Sequence, residues 1–399
     1  MKSKSKVPEI RFTGFEGDWR HSFLTKVTKK RKILNSNMQE DNLLSLSYGK
    51  IKRKDIRSTK GLLPSSYSSY QIIDEDTIVF RFTDLQNDQK SLRVGLSREK
   101  GIVSSAYVCV DPNKEVFVPT FLYWLLHYYD TQKVFYKMGD GIRQTITYED
   151  LREMALKFPS KEEQILIANA IDIVDDKITQ QELLCNKLRN LKIALLSSLF
   201  PQGEETKPCV RLGEFTENWT GYFASDVFQP ISDKGYPELP ILSASQELGM
   251  IPRSETGIEM SYGTQNVATY KRVLSGHFVI HLRSFQGGFA HSAIEGITSP
   301  AYTVMQLKDV ASQYDIFWKY VLTSKQFIKR LEAVTYGIRD GKSIKYEDFA
   351  TLKFLVPKKK EQIAIANLLV EYDRLIQLNE QKLEKLRNLK QAMLDKMFV

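Results

Sequence analysis

The sequence predicts an α+β protein in which two tandem α+β heads are separated by two long helices. Three observations predict this fold class. The chain repeats itself at an offset of about 200 residues, each copy ends in a heptad pattern, and the stretches between carry short apolar runs typical of strands and buried helices. With 399 residues, 42% hydrophobic and 11% aromatic, the chain can bury a core in each copy, so neither disorder nor a single coiled-coil rod describes it.

The duplication is strongest at the two ends of each copy. Four anchors near the start of the first copy, Pro8, Arg11, Phe15 and Trp19, recur 200 residues later as Pro208, Arg211, Phe215 and Trp219. At the other end, residues 163–200 match residues 361–398 without gaps, with 18 identities in 38 positions. Between these ends only scattered positions recur, such as Gly101 and Gly296. The sequence therefore predicts one scaffold that occurs twice with different loops.

Each copy ends in a predicted helix of some 35 residues, which at about 1.5 Å per residue is roughly 50 Å long. Pro159 and Pro357 precede acidic first turns, which suit a helix start. The apolar positions then follow the 4-3 spacing of a coiled-coil seam. The seam residues are Val174, Ile178, Gln181, Cys185, Leu188, Lys192, Leu195 and Leu199 in the first copy, and Tyr372, Ile376, Asn379, Leu383, Leu386, Lys390, Met393 and Met397 in the second. Ordinary amphipathic core helices are the alternative, but two near-copies in one chain favour packing of one helix against the other.

The divergent regions, roughly 20–150 and 220–348, predict mixed heads. Strand-like runs are 76–82, 108–110, 277–282 and 302–305, and short buried helices are predicted at 121–126 and 316–322. The formal net charge is +9, and the residues outside 162–200 and 360–399 carry a net +10. Because the excess lies in the heads, they are the predicted surface for a polyanionic partner.

Basic side chains in the heads alternate with hydroxyl and amide side chains, which is typical of surfaces that contact phosphates and base edges. The candidates are Ser45, Ser47, Lys52, Arg53, Arg81, Arg143 and Gln144 in the first head, and Ser243, Ser245, Arg253, Arg283, Ser284, Gln286, Arg339 and Lys342 in the second. For any one of them a solvated basic face is the alternative. The glycine-rich runs at 139–145 and 337–343 fit a close approach to phosphate and a tight turn equally well.

The sequence lacks the motifs of several kinds of catalytic, nucleotide-binding and metal site. Cys109, Cys185 and Cys209 form no C-x-x-C pair, which argues against a disulfide framework and a zinc ribbon. There is no Pro-Pro for an adenine methyltransferase tetrapeptide and no P-loop, since Tyr336 stands where the first glycine before Gly341 would be needed. The histidines at 277, 281 and 291 are interpreted as core or surface residues, and no metal site is predicted. No signal peptide or membrane span is found, so a cytoplasmic protein is expected.

The doubled patterns Pro159-(x3)-Glu163-Gln164 and Pro357-(x3)-Glu361-Gln362, each leading into a long helix with leucine-rich and lysine-rich turns, resemble the specificity subunit of type I restriction-modification systems. The resemblance covers nearly the whole chain. It implies a first target recognition domain at 1–158, a spacer helix at 159–203, a second target recognition domain at 204–356 and a second spacer helix at 357–399. It further implies that the helices form an antiparallel coiled-coil spacer, with a pseudo-twofold relation between the copies.

The resemblance also implies a function. Each head would read one half of an asymmetric bipartite site on double-stranded DNA, and the helices would dock two modification (adenine methyltransferase) subunits. The predicted docking residues are Gln164, Lys187, Arg189, Lys192, Gln362, Lys385, Arg387 and Lys390. The chain itself is expected to be non-catalytic and to bind no cofactor, with S-adenosylmethionine, ATP and Mg²⁺ on the modification and restriction (translocase) subunits. A standalone DNA-binding regulator and a catalytic DNA enzyme remain the two alternative classes.

Overall fold

The computed structural model describes residues 7–55, 64, 66–83, 92–138, 146–201, 205–245, 248–256, 267–281, 288–334 and 344–399. The chain divides into two compact units. Unit 1 comprises Met1–Glu182 together with Gln381–Val399, and unit 2 is Leu183–Glu380. Each unit therefore contains one head, the first part of the long helix that follows it, and the last part of the other long helix.

Unit 1 is a mixed α and β structure. Its strands are β1 (Arg20–Phe23), β2 (Thr28–Arg31), β3 (Leu44–Ser47), β4 (Lys50–Arg53), β5 (Gln71–Ile73), β6 (Ile78–Phe80), β7 (Val94–Leu96), β8 (Gly101–Val103), β9 (Val108–Pro112) and β10 (Ala155–Phe158). Its helices are α1 (Leu24–Val27), α2 (Pro119–Thr131) and the start of α3 (Lys161–Leu199), with single 3-10 turns at Phe135–Lys137 and Asp150–Glu153. A four-stranded antiparallel sheet of order β2-β9-β6-β7 is accompanied by the two-stranded pairs β1-β10, β3-β4 and β5-β8.

Unit 2 repeats this structure. Its strands are β11 (Thr220–Phe223), β12 (Phe228–Ile231), β13 (Leu242–Ser245), β14 (Gly249–Pro252), β15 (Lys271–Val273), β16 (Phe278–Ile280), β17 (Phe289–His291), β18 (Gly296–Thr298), β19 (Thr303–Leu307) and β20 (Lys353–Val356). Its helices are α4 (Ala224–Val227), α5 (Asp315–Leu322), α6 (Lys325–Val334), α7 (Tyr346–Ala350) and the start of α8 (Lys359–Met397), with 3-10 turns at Arg253–Thr256 and Val267–Thr269. The sheet order β12-β19-β16-β17 and the pairs β11-β20, β13-β14 and β15-β18 match unit 1 strand for strand.

The predicted strands and buried helices of the heads are confirmed, with shifted bounds. The run at 76–82 forms only β6, because a turn precedes it in which Asp76 has φ 71° and the Thr77 amide donates to the Asp74 carbonyl (3.2 Å). A matching turn at Gly276 (φ 86°) delays β16 in the same way. β6 and β16 are short and fully buried, so they lie at the centre of their sheets.

The long helices are 39 residues each, and no predicted seam residue is exposed. In unit 1, Lys390 of α8 pairs with Asp175 of α3 (2.7 Å) and Arg387 pairs with Glu182 (2.8 Å). In unit 2 the equivalent residues, at the repeat offset of 198, form the same pairs. They are Lys192 with Asp373 and Arg189 with Glu380. In each unit, residues later in one helix pair with residues earlier in the other, so the two helices are antiparallel. The predicted antiparallel coiled coil is confirmed.

Each core includes the end of a long helix. The core of unit 1 surrounds α2 and contains Met397 and Phe398, which belong to the last turn of α8 and the residue after it. The core of unit 2 surrounds α5 and contains Leu199 and Phe200 in the same way. Of the helices in the described part of the chain, none is long and apolar enough to cross a bilayer.

Candidate nucleic-acid interface

The β3-β4 hairpin of unit 1 gathers several of the predicted DNA-binding residues on one face. Cross-strand pairing places Ser45 opposite Lys52 and Ser47 opposite Lys50, and this face is half-buried or exposed. The alternate residues of β3, Leu44 and Leu46, are buried. Because successive side chains of a strand point to opposite sides, the hydroxyl and ammonium groups share one face. Lys50 belongs to the run of basic residues in the first head, although it was not among the predicted DNA-binding residues. It lies two positions before Lys52 in β4, on the same face.

The hairpin is held in a defined position. Its two-residue turn has Tyr48 at φ 49° and Gly49 at φ 76°, and turns with two positive φ angles match the twist of paired strands. The Tyr123 hydroxyl of α2 donates to the Gly49 carbonyl (3.1 Å). The Lys50 ammonium donates to the Thr179 hydroxyl (2.9 Å) on α3. These bonds attach the hairpin to both neighbouring helices.

Arg53 and Arg81 lie apart from this face. Arg53 is across the strand from Leu44, and its Nε donates to Glu99 Oε2 (2.7 Å). Hydrogen bonding by Arg53 lowers the pKa of the Glu99 carboxyl and raises the pKa of the Arg53 guanidinium. To contact a phosphate, the Arg53 guanidinium would have to exchange its hydrogen bonds with Glu99 for bonds to the phosphate oxygens. Arg81 follows β6 and is half-buried. Arg143 and Gln144 lie outside the described residues.

The matching hairpin of unit 2, β13-β14, has different chemistry. In β14, Gly249 and Ile251 stand opposite Ser245 and Ser243, where Lys50 and Lys52 of β4 stand opposite Ser47 and Ser45. Ser243 and Ser245 keep the hydroxyls of β13, and both are half-buried. The two hairpins therefore pair their strands in the same way but carry unlike side chains.

The remaining candidates of unit 2 are Arg253, which is half-buried at the start of a 3-10 turn, and five residues outside the described part of the chain. Those five are Arg283, Ser284, Gln286, Arg339 and Lys342. Arg272 belongs to the basic residues of the second head, although it was not among the predicted DNA-binding residues. Its guanidinium pairs with Glu295 (2.6 Å) and stacks 4.4 Å from the centre of the Tyr236 ring.

The two glutamines predicted to dock a partner are used inside their own units. Gln164 is fully buried, accepts from the Val118 amide (2.9 Å) and donates to the carbonyls of Val116 (3.0 Å) and Pro159 (3.2 Å). Gln362 is also fully buried and makes the equivalent bonds to Tyr314, Ser312 and Pro357. Contact with another subunit would require these amides to leave their present partners, because neither has exposed surface.

The other predicted docking residues lie along the paired helices. Lys187 and Lys385 are exposed, whereas Arg189, Lys192, Arg387 and Lys390 take part in the ion pairs between the helices. Four residues after each exposed lysine is an exposed leucine, Leu191 (44%) and Leu389 (49%). Residues four apart share a helix face, so each copy displays the same lysine and leucine pair. The leucines were part of the repeated Lys-Leu-Arg-Asn-Leu-Lys motif but were not singled out.

No three His, Cys, Asp or Glu side chains within the described ranges come together as a metal ion would require. His291 pairs with Asp315 (2.8 Å), and the Leu274 amide donates to His277 Nδ1 (3.1 Å). His277 and His281 flank the three-residue strand β16. Cys109 and Cys185 are buried, Cys209 is exposed, and all three are free thiols.

The chain thus folds as two α+β units of identical strand order, each of which includes parts of both antiparallel long helices. No protein-family profile matches the sequence. Over 102 residues the chain is 29% identical to the type I restriction enzyme HindI specificity subunit of Haemophilus influenzae, a match that covers 25% of this chain and 22% of that protein. The matched part thus spans about a fifth of the length of that curated relative.

The structural likeness extends over the whole chain. The S subunit of a type I restriction-modification system from M. genitalium gives a TM-score of 0.61 at 15% identity, covering 98% of this chain and 99% of that one. A chain from a structure of the type I system described for complex assembly and conformational transition gives 0.53 at 18% identity, covering 95% and 97%. The predicted resemblance to type I specificity subunits is therefore confirmed, and at these identities the solved structures show the fold.

Proposed function

We propose that this chain is the DNA sequence-specificity subunit of a type I restriction-modification complex. Each head reads one half of an asymmetric bipartite site on double-stranded DNA. The long helices set the spacing of the half-sites and dock the modification subunits. The chain performs no chemistry itself, and S-adenosylmethionine, ATP and Mg²⁺ are bound by the modification and restriction subunits.

The observation that carries the proposal is the distribution of likeness between the two units. Strand order, the ion pairs between the helices and the exposed Lys187 and Lys385 are the same in both units. The hairpin faces differ, because one carries two lysines and the other carries Gly249 and Ile251. Surfaces that are alike suit identical partners, one for each copy. Surfaces that differ suit different ligands, as unlike half-sites require.

The decisive experiment is coexpression of the chain with a modification subunit, followed by genome-wide mapping of methylated adenines. We expect one split sequence with two unlike halves and a fixed unread spacer. Replacing a residue that contacts a base, with Ser45→Ala and Lys52→Gln as first tests, should relax one half only. Methylation of a continuous site, or relaxation of both halves, would contradict the assignment of one half-site to each head.

Docking is tested by reversing charge at both exposed lysines, Lys187→Glu with Lys385→Glu. We expect weaker assembly with modification subunits while the chain keeps its own fold, because neither lysine takes part in the ion pairs described between the helices. Lys177→Glu, at another exposed position of α3, is the matched control. Gel shifts and a turnover assay on the chain alone separate the other classes, since a standalone regulator binds its site tightly without partners and an enzyme shows turnover.

A further inference from the structure

Unit 1 contains a cleft of about 400 Å³ between the β3-β4 hairpin and the helix pair. Such a volume is at the lower end of the roughly 300–1,000 Å³ found for ligand sites. Charged side chains from three elements line it. They are Lys50 and Lys52 of β4, Asp175 and Glu182 of α3, and Arg387 and Lys390 of α8.

The cations in this cleft outnumber the carboxylates. Asp175 is shared by two ammonium groups, Lys50 at 3.2 Å and Lys390 at 2.7 Å. Glu182 is paired with Arg387, and Lys52 adds a fourth positive charge at the same wall. Burial alone would raise the pKa of the Asp175 carboxyl, but Lys390 and Lys50 outweigh it and the pKa is lowered. The four cations therefore face two carboxylates.

A buried histidine supplies a second observation. His127 of α2 lines the cleft and is 5% exposed, and its Nδ1 has no hydrogen-bond partner among the described residues. Burial, reinforced by Lys390 and Lys50, lowers the pKa of His127 to about 3, so the ring is neutral at physiological pH. A neutral imidazole with its proton on the free nitrogen donates one hydrogen bond and adds no further charge.

Unit 2 shows that the fold does not require this arrangement. Gly249 and Ile251 stand in place of the two lysines, and Thr323 stands at the position of His127. The counterpart of Asp175, Asp373, pairs with Lys192 and accepts a hydrogen bond from the Tyr320 hydroxyl (2.6 Å). With the Arg189–Glu380 pair included, two cations there meet two carboxylates. The excess positive charge and the histidine are thus additions specific to unit 1.

We propose that this cleft binds a phosphate group, carried either by the DNA backbone or by a small phosphorylated molecule. The negative charge of a phosphate would balance the excess of cations, and one of its oxygens would accept a hydrogen bond from the histidine N–H. The DNA alternative rests on the proposed function, whereas binding of a small phosphate does not.

The cleft is tested on the full chain by calorimetric titration with inorganic phosphate and with pyrophosphate, at constant ionic strength set by chloride. We expect saturable binding that weakens at least about tenfold in Lys50→Met, which removes the charge and keeps an unbranched side chain of similar length. Lys50→Arg, which keeps the charge, should retain binding. Lys177→Met removes the same charge from an exposed position of α3 outside the cleft and should change affinity less than about twofold. Absence of saturable binding, or equal weakening in both methionine variants, would overturn the proposal.

The source of the phosphate is settled by the salt dependence of DNA binding. One phosphate contact contributes about 0.9 to the slope of log K against log salt for duplex DNA. A slope lowered by about that amount in Lys50→Met, but not in Lys177→Met, supports a backbone phosphate. An unchanged slope, with phosphate titration still lost in Lys50→Met, supports a small phosphorylated ligand. If the chain, assembled with modification subunits, bound no DNA at all, the proposed function would fail while the titration of the chain still decided the cleft.

Discussion

Glu163 and Glu361 attach the N-terminal segment of each head to the first turn of its long helix. Arg11 donates from Nε (2.9 Å) and from a terminal nitrogen (2.7 Å) to the two oxygens of Glu163, whose side chain is only 1% exposed. Arg211 forms the same two-pronged pair with Glu361. Such pairs combine charge with fixed geometry, so they orient the segment as well as hold it.

Glu163→Gln should destabilise unit 1. The neutral amide cannot accept both guanidinium bonds, and a hydrogen bond to a charged group contributes about 1.5–3 kcal/mol. We expect a decrease of that size in the free energy of unfolding, measured by urea titration with hydrogen exchange on peptides of unit 1. Glu384→Gln, at an exposed position of α8 in the same unit, is the control and should change stability by less than about 0.5 kcal/mol. Equal effects would show that Arg11 does not depend on this carboxylate.

Asp130 predicts a dependence of stability on pH. It is fully buried at the end of α2, where Oδ2 accepts from the Arg93 amide and Oδ1 has no partner among the described residues. Burial raises its pKa to about 6, against about 3.9 in an unfolded chain. The folded state therefore favours the protonated carboxyl. Its contribution is fully present below about pH 4 and is lost as the pH rises through 6, a change of about 3 kcal/mol.

Asp130→Asn should remove that dependence, because the amide remains neutral at every pH in this range. We expect urea midpoints of the variant to vary less between pH 4 and 7 than those of the wild type, and to be higher at pH 7. Asp176→Asn, at an exposed position of α3, should leave the wild-type profile intact. A variant profile parallel to the wild type would assign the pH dependence to other groups.

Among the elements, the short strands of each head rest on close backbone approaches. A methyl group on Gly101 would lie 2.5 Å from the Asn42 carbonyl oxygen, and one on Gly296 would lie 2.6 Å from the Pro240 carbonyl oxygen. Both glycines begin equivalent strands, β8 and β18. The recurrence of this contact in both units explains why these two positions stayed alike in regions where the copies otherwise diverge.

Gly101→Ala and Gly296→Ala should each destabilise their own unit by about 1–3 kcal/mol, the usual cost of forcing an extra methyl group into a packed site. Hydrogen exchange resolved by peptide is the measurement, since it reports the two units separately. Gly288→Ala is the matched control, because its nearest neighbour would be 3.5 Å away, an ordinary contact. If all three variants behaved alike, the close approach would not be what restricts these positions.

How far the sequence predicts each element depends on the range of the interactions that form it. The heptad seam predicted α3 and α8 because that pattern is local, and the apolar runs located α2 and α5 for the same reason. The pairing of β1 with β10 joins residues well over 100 positions apart, so no local pattern predicts it. The candidate site divides likewise. Ser45 and Lys52 were predicted from the local mixture of hydroxyl and basic residues, a run that also includes Lys50. The contacts of Lys50 with Asp175 and Thr179 of α3 join distant parts of the chain, so no local pattern predicts them.

At the scale of the whole molecule, the compact units do not follow the chain as four consecutive parts. Unit 1 takes its last segment from the end of α8, and the Ile10 amide donates to the Lys396 carbonyl (2.9 Å). In unit 2 the Val210 amide donates to the Ser198 carbonyl (2.9 Å), where the two residues are joined by a short stretch of chain. The same contact is thus made across a covalent connection in one unit and between distant parts of the chain in the other.

This arrangement predicts which head each helix end supports. Phe398 is 3% exposed, and its ring lies 5.6 Å from those of Phe121 and Tyr128 in unit 1. Its counterpart Phe200 is 6% exposed and lies 5.6 Å from Phe317 in unit 2. Truncating a buried phenylalanine to alanine costs about 3–5 kcal/mol. Phe398→Ala should therefore loosen the first head although it is almost 250 residues from the end of that head in sequence.

Hydrogen exchange followed by mass spectrometry of both variants tests this directly. Phe398→Ala should raise exchange in α2 and β6 and leave α5 and β16 protected, and Phe200→Ala should do the reverse. Each variant is the control for the other, because the substitution is identical and the two sites are equivalent in the repeat. Faster exchange in the second head of Phe398→Ala would show that the end of α8 supports the head that precedes α8 in the sequence, as consecutive domains would require. Faster exchange in the first head of Phe398→Ala and in the second head of Phe200→Ala would show that each head is stabilised by the end of the long helix that follows the other head.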